Sequence, residues 1–133
     1  MDNLLFVYGT LMQKFNGYSP IKLEHYGEYI CDGYIHGRLY EIDKYPGLVL
    51  SRNSNEKVYG EIFMLKNFET AIDKLDKYED FFPNSDENSL YLRLVKEIFI
   101  ERDSLKKAWV YIYNKDVDEE KRIITGNYLD FIK

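Results

Sequence analysis

Glu79 is the residue whose type and position most clearly suggest chemistry. In a helix with about 100° per residue, Phe68, Ile72 and Leu75 fall on one narrow apolar stripe. The next position on that stripe is a carboxylate, Glu79, where the pattern predicts an apolar side chain. A carboxylate buried without a partner is costly, or its pKa rises and it takes up a proton. Glu79 is therefore a candidate pocket-lining acid/base, unless the helix ends earlier and the carboxylate meets water.

Other potential nucleophiles and metal ligands lack suitable spacing. Cys31 is a lone thiol in a strand-like run, and His25 and His36 have no partner at a ligand spacing, so packing or surface roles are expected. No serine lies in a G-x-S-x-G pattern, and neither phosphate-binding glycine motif occurs. One cysteine and two histidines exclude cysteine-rich and three-histidine zinc sites, whereas mixed His/carboxylate sites stay open. The expected site contains no metal.

Length and composition limit the functional classes. The chain has 133 residues, which predicts a single domain over residues 1–133. A net charge of −5, from 18 basic and 23 acidic residues, argues against nucleic-acid binding, even on aromatic platforms. No apolar run is long enough to span a membrane, and the first residues lack a signal-peptide pattern. These observations predict a cytoplasmic protein without a membrane partner.

The elements that must position Glu79 are mostly strands. The 13 tyrosines and 8 phenylalanines indicate a β-rich core. One helix is expected over residues 68–80, with Asn67 as its N-cap and Pro83 limiting its end. This pattern predicts an α+β fold, a small mixed, barrel-like β-sheet with one main helix. Strands are expected at residues 4–8, 28–43 (one or two strands, bent or bulged at the glycines), 48–50, 58–65, 90–101 and 107–114, the last two forming a hairpin.

Several short motifs follow one another along the chain. They are LFVYGTL at 5–11, GRLY at 37–40, YPGLV at 45–49, VYGEIF at 58–63, LDKYE at 75–79, Y-x-R at 91–93, AWVYIY at 108–113 and ITGNY at 124–128. In this order they resemble the γ-glutamylcyclotransferase-like family over residues 4 to about 128, and most closely its γ-glutamylaminecyclotransferase and avirulence-induced-protein branch. The resemblance implies a small mixed barrel with flanking helices.

The resemblance implies a cyclotransferase, an enzyme of the carbon–nitrogen lyase or acyltransferase type. The substrate's α-amine attacks its own γ-carbonyl and releases 5-oxoproline, so the enzyme needs neither its own nucleophile nor a cofactor. The family's catalytic glutamate corresponds to Glu79, and the Tyr8-Gly9-Thr10-Leu11 loop would hold the substrate. The expected partner is a small γ-glutamyl amine or γ-glutamyl amino acid.

Further residues are assigned more loosely. Tyr40, Tyr91 and Tyr113 are expected to line the substrate cavity, and Arg93 is expected to pair with a carboxylate of either the substrate or the protein. Two alternatives stay open: a non-catalytic small-molecule-binding protein on the same fold, and a deprotection enzyme that acts on a carrier-bound γ-glutamyl amine. The leaving amine and the oligomeric state are not readable from the sequence.

Overall fold

The fold is a closed, barrel-like sheet in a computed structural model that describes residues 3–17 and 19–132. The expectation about the first residues concerns positions outside these ranges. The two ends of the predicted 1–133 domain also lie outside them. The strands are β1 (Leu4–Val7), β2 (Gly27–Glu41), β3 (Pro46–Leu50), β4 (Lys57–Leu65), β5 (Tyr91–Ile100), β6 (Ser104–Tyr113) and β7 (Arg122–Ile123). The helices are α1 (Phe68–Tyr78) and the short α2 (Tyr128–Phe131), with single 3₁₀ turns between elements.

Five strands close the barrel in the order β2-β4-β1-β6-β5, because β2 also pairs with β5 at Tyr34 and Phe99. The sheet is mixed, since β1 runs parallel to β6 and antiparallel to β4. The strands β3 and β7 extend the sheet from the far part of β2. This architecture confirms the predicted α+β class with a mixed, barrel-like sheet and one main helix.

Strand β2 is long and irregular. The sequence predicted bends at Gly33 and Gly37, but the register shifts between Tyr29 and Cys31, where Ile30 is the extra residue of a β-bulge. The predicted hairpin of the last two long strands is confirmed, with β5 and β6 paired antiparallel from Tyr91–Tyr113 to Ile100–Ser104.

Helix α1 begins where the sequence predicted and ends earlier. Asn67 precedes it in the left-handed region, with φ 47°, and its side chain makes no capping hydrogen bond, so that detail was wrong. The helix ends at Tyr78 instead of residue 80. Its end is set by Asp80, which adopts φ 53°, and Pro83 lies too far along the chain to cause it.

The core of the barrel is continuous and apolar. It contains residues from β1, β4, β6 and the inner face of α1, among them Leu5, Ile62, Leu75 and Val110. Burial of this surface supplies the main driving force for folding. No helix in residues 3–17 and 19–132 combines the length and apolar character needed to cross a bilayer.

Candidate active site

A cleft opens at the end of β1, beside the end of α1, and holds about 370 Å³ of empty space including the part open to solvent. Its lining is mostly apolar and aromatic with few polar groups, as in small-molecule sites. The lining residues are Phe6, Val7, Tyr8, Gly9, Thr10, Leu11, Tyr45, Pro46, Glu79, Tyr91 and Tyr111. The structure therefore brings Glu79, the whole Tyr8–Leu11 loop and Tyr91 together.

The end of helix α1 fixes the position of Glu79. The Asp80 N–H donates to the Lys77 carbonyl, and the Phe81 N–H donates to the Asp76 carbonyl at 2.9 Å. With Asp80 in the left-handed region, these bonds form a Schellman motif. Glu79 keeps a helical N–H bond to the Leu75 carbonyl at 2.9 Å. Its side chain thus continues the apolar stripe into the cleft and is not part of a frayed end.

The Glu79 carboxyl is held in an environment that favours its protonated form. Burial first, and then the nearby carboxylates of Asp80 and Asp76, together raise its pKa from 4.5 to about 8. Within the described residues, no hydrogen-bond donor contacts this carboxyl group. A partly buried carboxyl with an elevated pKa and free oxygen atoms is suited to accept and return a proton near neutral pH.

The turn after β1 presents backbone donors to the same cleft. The Met12 N–H donates to the Gly9 carbonyl at 3.1 Å and closes the turn. Among the described residues, the backbone N–H groups of Thr10 and Leu11 make no hydrogen bond. A Cβ atom on Gly9 would lie 2.7 Å from the Pro46 ring, so only glycine lets this turn approach β3 so closely. Adjacent free N–H groups of this kind form an anion-binding concavity.

Three tyrosine hydroxyls in the cleft donate hydrogen bonds to acceptors within the protein. Tyr8 donates to the Tyr111 carbonyl at 2.6 Å, and Tyr91 donates to the Pro46 carbonyl at 2.8 Å. Tyr111 donates to Asp76 Oδ1 at 2.7 Å. Burial raises the pKa of all three phenols, which keeps them neutral. Their oxygen atoms are therefore left to accept hydrogen bonds, as from an amine or ammonium group.

Behind Glu79 lies a buried ion pair. Arg93 Nε and Nη2 donate to the two Asp76 oxygens at 2.8 and 3.1 Å, and the guanidinium stacks 4.6 Å from the Trp109 ring centroid. Asp76 is only 7% exposed. Arg93 therefore pairs with a carboxylate of the protein, one of the two options left open by the sequence.

Two tyrosines expected in the cavity do not line the cleft. Tyr40 lies where β2 pairs with β7, and its hydroxyl donates to Glu119 Oε2 at 2.8 Å. Tyr113 packs its ring against Tyr91, with 5.4 Å between centroids, and so stands one layer behind the cleft. The structure therefore places neither residue in the cleft lining, and a role for them in substrate binding stays a prediction.

Sequence reasoning missed Tyr45, Pro46 and Tyr111 as lining residues. Tyr111 could have been found, since it shares a strand face with Tyr113 by simple alternation. The Tyr45-Pro46-Gly47 segment was recognised as part of the YPGLV motif but not as cleft lining, because its place at the cleft depends on pairing of β2 with β3. His36, packed 4.5 Å from the Phe99 ring, is also outside the cleft lining, as are His25 and Cys31.

No metal-binding cluster was found within the described part of the chain. Among residues 3–17 and 19–132, no group of three or more His, Cys, Asp or Glu side chains could hold a metal ion.

Comparison with known families gives one match over nearly the whole chain. The sequence model described as "Gamma-glutamyl cyclotransferase, AIG2-like" matches residues 5–130. The chain is 29% identical over 127 residues to the "Gamma-glutamylcyclotransferase family protein YtfP" of Escherichia coli strain K12, covering 95% of this chain and 96% of that protein. It is 30% identical over 127 residues to the protein of the same description from Citrobacter rodentium, covering 95% of each chain.

Solved structures share the fold at lower identity. YkqA from Bacillus subtilis superposes with a TM-score of 0.70 at 23% identity, covering 98% of this chain. This chain corresponds to only 40% of the length of YkqA. An AIG2-like protein from Mus musculus gives a TM-score of 0.66 at 20% identity, covering 89% of this chain and 81% of the mouse chain.

Proposed function

The chain belongs to the gamma-glutamyl cyclotransferase, AIG2-like family, and we propose that it releases 5-oxoproline from a γ-glutamyl amine or γ-glutamyl amino acid. The observation that carries this proposal is Glu79, an unpartnered carboxyl that lines the cleft with a pKa of about 8. It lies beside a turn with free N–H groups. The chemistry requires a group that transfers a proton and hydrogen-bond donors that bind an anion, and the cleft offers a carboxyl group and backbone N–H groups for these two roles.

The proposed reaction is an intramolecular aminolysis. Glu79 removes a proton from the substrate's α-ammonium, and the resulting amine attacks the γ-carbonyl carbon. A new C–N bond closes the five-membered lactam, and the bond between the γ-carbon and the leaving nitrogen breaks. Glu79 then returns its proton to the leaving nitrogen. The ring nitrogen loses a second proton on becoming the lactam N–H, and this proton also passes through Glu79 to the released amine, which departs as its ammonium, so the protein ends in its starting state. Holding the substrate in a folded conformation lowers the barrier, because its chain is already ordered in the attack geometry when the reaction begins.

The remaining cleft groups are assigned to binding. The free N–H groups of Thr10 and Leu11 would hold the α-carboxylate of the substrate, which is anionic throughout the reaction. The phenol oxygens of Tyr8, Tyr91 and Tyr111, whose protons are committed elsewhere, would accept hydrogen bonds from the α-ammonium. Such acceptors orient the nitrogen toward Glu79 without competing for its proton.

A turnover assay tests the proposal directly. The protein is incubated with a panel of γ-glutamyl amines and γ-glutamyl amino acids, and 5-oxoproline is measured by mass spectrometry. Catalytic release from at least one substrate supports the enzyme. Binding of the panel without any release would instead support the non-catalytic binding protein.

The elevated pKa of Glu79 predicts the pH dependence. The base form is needed for proton removal, so kcat should fall as the pH drops through about 8 toward 6. The measurement is kcat between pH 5 and 10, with two substrates whose α-ammonium pKa values differ. The position of an enzyme-derived limb stays the same for both substrates. A kcat that stays constant down to pH 5, as expected for an ordinary glutamate with a pKa of about 4.3, would contradict a buried catalytic carboxyl.

A further inference from the structure

Glu61 is a further buried carboxylate, on β4 and outside the cleft lining. It is 1% exposed, and its two oxygens face the backbone of the segment that follows the substrate turn. The Gln13 N–H donates to Oε1 at 2.6 Å, and the Lys14 N–H approaches Oε2 at 3.4 Å. We propose that Glu61 is a positioning residue that holds the Gly9–Leu11 turn in its substrate-binding conformation. This inference rests on the proposed function.

The chain around the turn is tied at both ends. Upstream, Val7 pairs with Glu61 itself in the β1–β4 ladder, two residues before Gly9. Downstream, the turn closes with the Met12 N–H, and the next two N–H groups point at the Glu61 carboxylate. One residue of the barrel thus meets both ends of the substrate turn, through its backbone register and through its side chain.

A simple packing role does not explain a charged group at this position. Within the described residues, no cation pairs with Glu61, and the Lys14 ammonium bonds Asp32 Oδ2 instead. Burial raises the Glu61 pKa, and the two backbone N–H groups are the main features that lower it again. A buried carboxylate is tolerated only where such donors compensate its desolvation. The two backbone N–H groups are therefore best matched by a side chain with two acceptor oxygens, which a carboxylate provides.

Glutamine is the informative substitution because it keeps the volume and changes one acceptor into a donor. In Glu61→Gln, the side-chain carbonyl can accept one N–H, but the amide NH₂ opposes the other. The segment at residues 13–14 is then released or displaced, and the Thr10 and Leu11 N–H groups move with it. A displacement of about 1 Å in a substrate-positioning group can cost about 100-fold in rate.

A matched control is available in the same segment. The Lys14–Asp32 ion pair also links the segment to β2, but the side chains are 47% and 56% exposed. Exposed pairs contribute little. Lys14→Met removes this link and keeps the Lys14 backbone N–H that faces Glu61.

The experiment compares wild type, Glu61→Gln and Lys14→Met by steady-state kinetics and by amide hydrogen exchange. For Glu61→Gln we expect KM to rise about 10–100-fold with kcat changed only a few-fold, since the α-carboxylate is held equally in ground and transition states. The amides of Gln13 and Lys14 should lose protection while those of β4 keep theirs. Lys14→Met should match wild type in both measurements.

The two possible failures can be told apart. Wild-type turnover with an unchanged KM in Glu61→Gln overturns the positioning role and leaves the proposed function standing. Absence of wild-type turnover on the whole panel removes the proposed function and, with it, the positioning role in substrate binding. Unchanged amide protection at Gln13 and Lys14 overturns the anchoring itself, whatever the turnover.

Discussion

Replacement of Glu79 by glutamine is expected to abolish 5-oxoproline release. Glutamine is nearly isosteric but neither accepts a proton from the substrate's ammonium nor returns one to the leaving amine. General acid–base catalysis contributes about 10²–10⁴-fold, and here one group performs both transfers. We therefore expect kcat to fall by about 10³-fold or more, measured as 5-oxoproline released under saturating substrate.

The fold should survive this substitution and gain stability at high pH. The Glu79 pKa is about 8 in the folded protein and about 4.3 when unfolded, so the folded state binds more protons between these values. Wild-type stability therefore decreases as the pH rises from about 4.3 to about 8. Glutamine does not ionise, so the Tm advantage of Glu79→Gln should grow across this window and level off above it.

A carboxylate on the exposed face of the same helix provides the control. Asp73 pairs with Lys77 in an exposed i,i+4 ion pair. Asp73→Asn should leave turnover unchanged and stability within about 0.5 kcal/mol. Turnover of Glu79→Gln at the wild-type rate would rule out Glu79 as the proton carrier.

Periodicity found Glu79 because a helix repeats every 3.6 residues wherever it packs. The deviation from an apolar stripe was therefore visible without any tertiary information. Burial, the main cause of its elevated pKa, was expected from the same stripe, whereas the further contributions of the Asp80 and Asp76 carboxylates depend on the conformation at the end of the helix. The sequence assigned the end of the helix to Pro83, since the left-handed conformation of an aspartate has a weaker signature than proline.

The tyrosines show the limit of strand patterns. Alternation tells which face of a strand carries a residue, but in a closed barrel both faces can be covered, and depth along the strand decides what the side chain meets. Tyr40 lies beyond the cleft, where β2 leaves the barrel and pairs with β7. Tyr111 lies at cleft depth, whereas Tyr113 is one step too far and packs behind Tyr91. The pairing register of β5 and β6 decides which of Tyr111 and Tyr113 reaches the cleft.

The anchoring role of Glu61 carries almost no sequence signal. A glutamate among apolar residues of a strand suggests either an outward-facing position or a buried polar group. The partners of Glu61 are backbone N–H groups some 47 and 48 residues earlier, and backbone donors have no residue type to recognise. Tertiary structure is needed to see that the strand and the substrate turn meet.

Replacement of Asp76 by asparagine is expected to cause the largest loss of stability. Asp76 and Arg93 form a buried pair, with side chains 10% and 14% exposed, and Tyr111 adds a third hydrogen bond. Removing one partner of a buried pair leaves the other charge uncompensated and costs about 3–5 kcal/mol. Because the Arg93 guanidinium stacks on the Trp109 ring, it is not free to turn toward solvent when Asp76 is replaced. Denaturant unfolding should show this loss, whereas Tyr111→Phe, which removes one hydrogen bond, should lose about 1 kcal/mol.

The same substitution should also change the catalytic pH profile. The Asp76 charge is one of the causes of the elevated Glu79 pKa, so its removal lowers that pKa. The acid limb of kcat in Asp76→Asn should therefore move below the wild-type position near pH 8, while Asp73→Asn keeps the wild-type limb. A loss of stability with an unmoved limb would mean that the ion pair supports the fold but is electrostatically separate from Glu79. A limb that moves without a loss of stability would contradict the buried pair as a structural element.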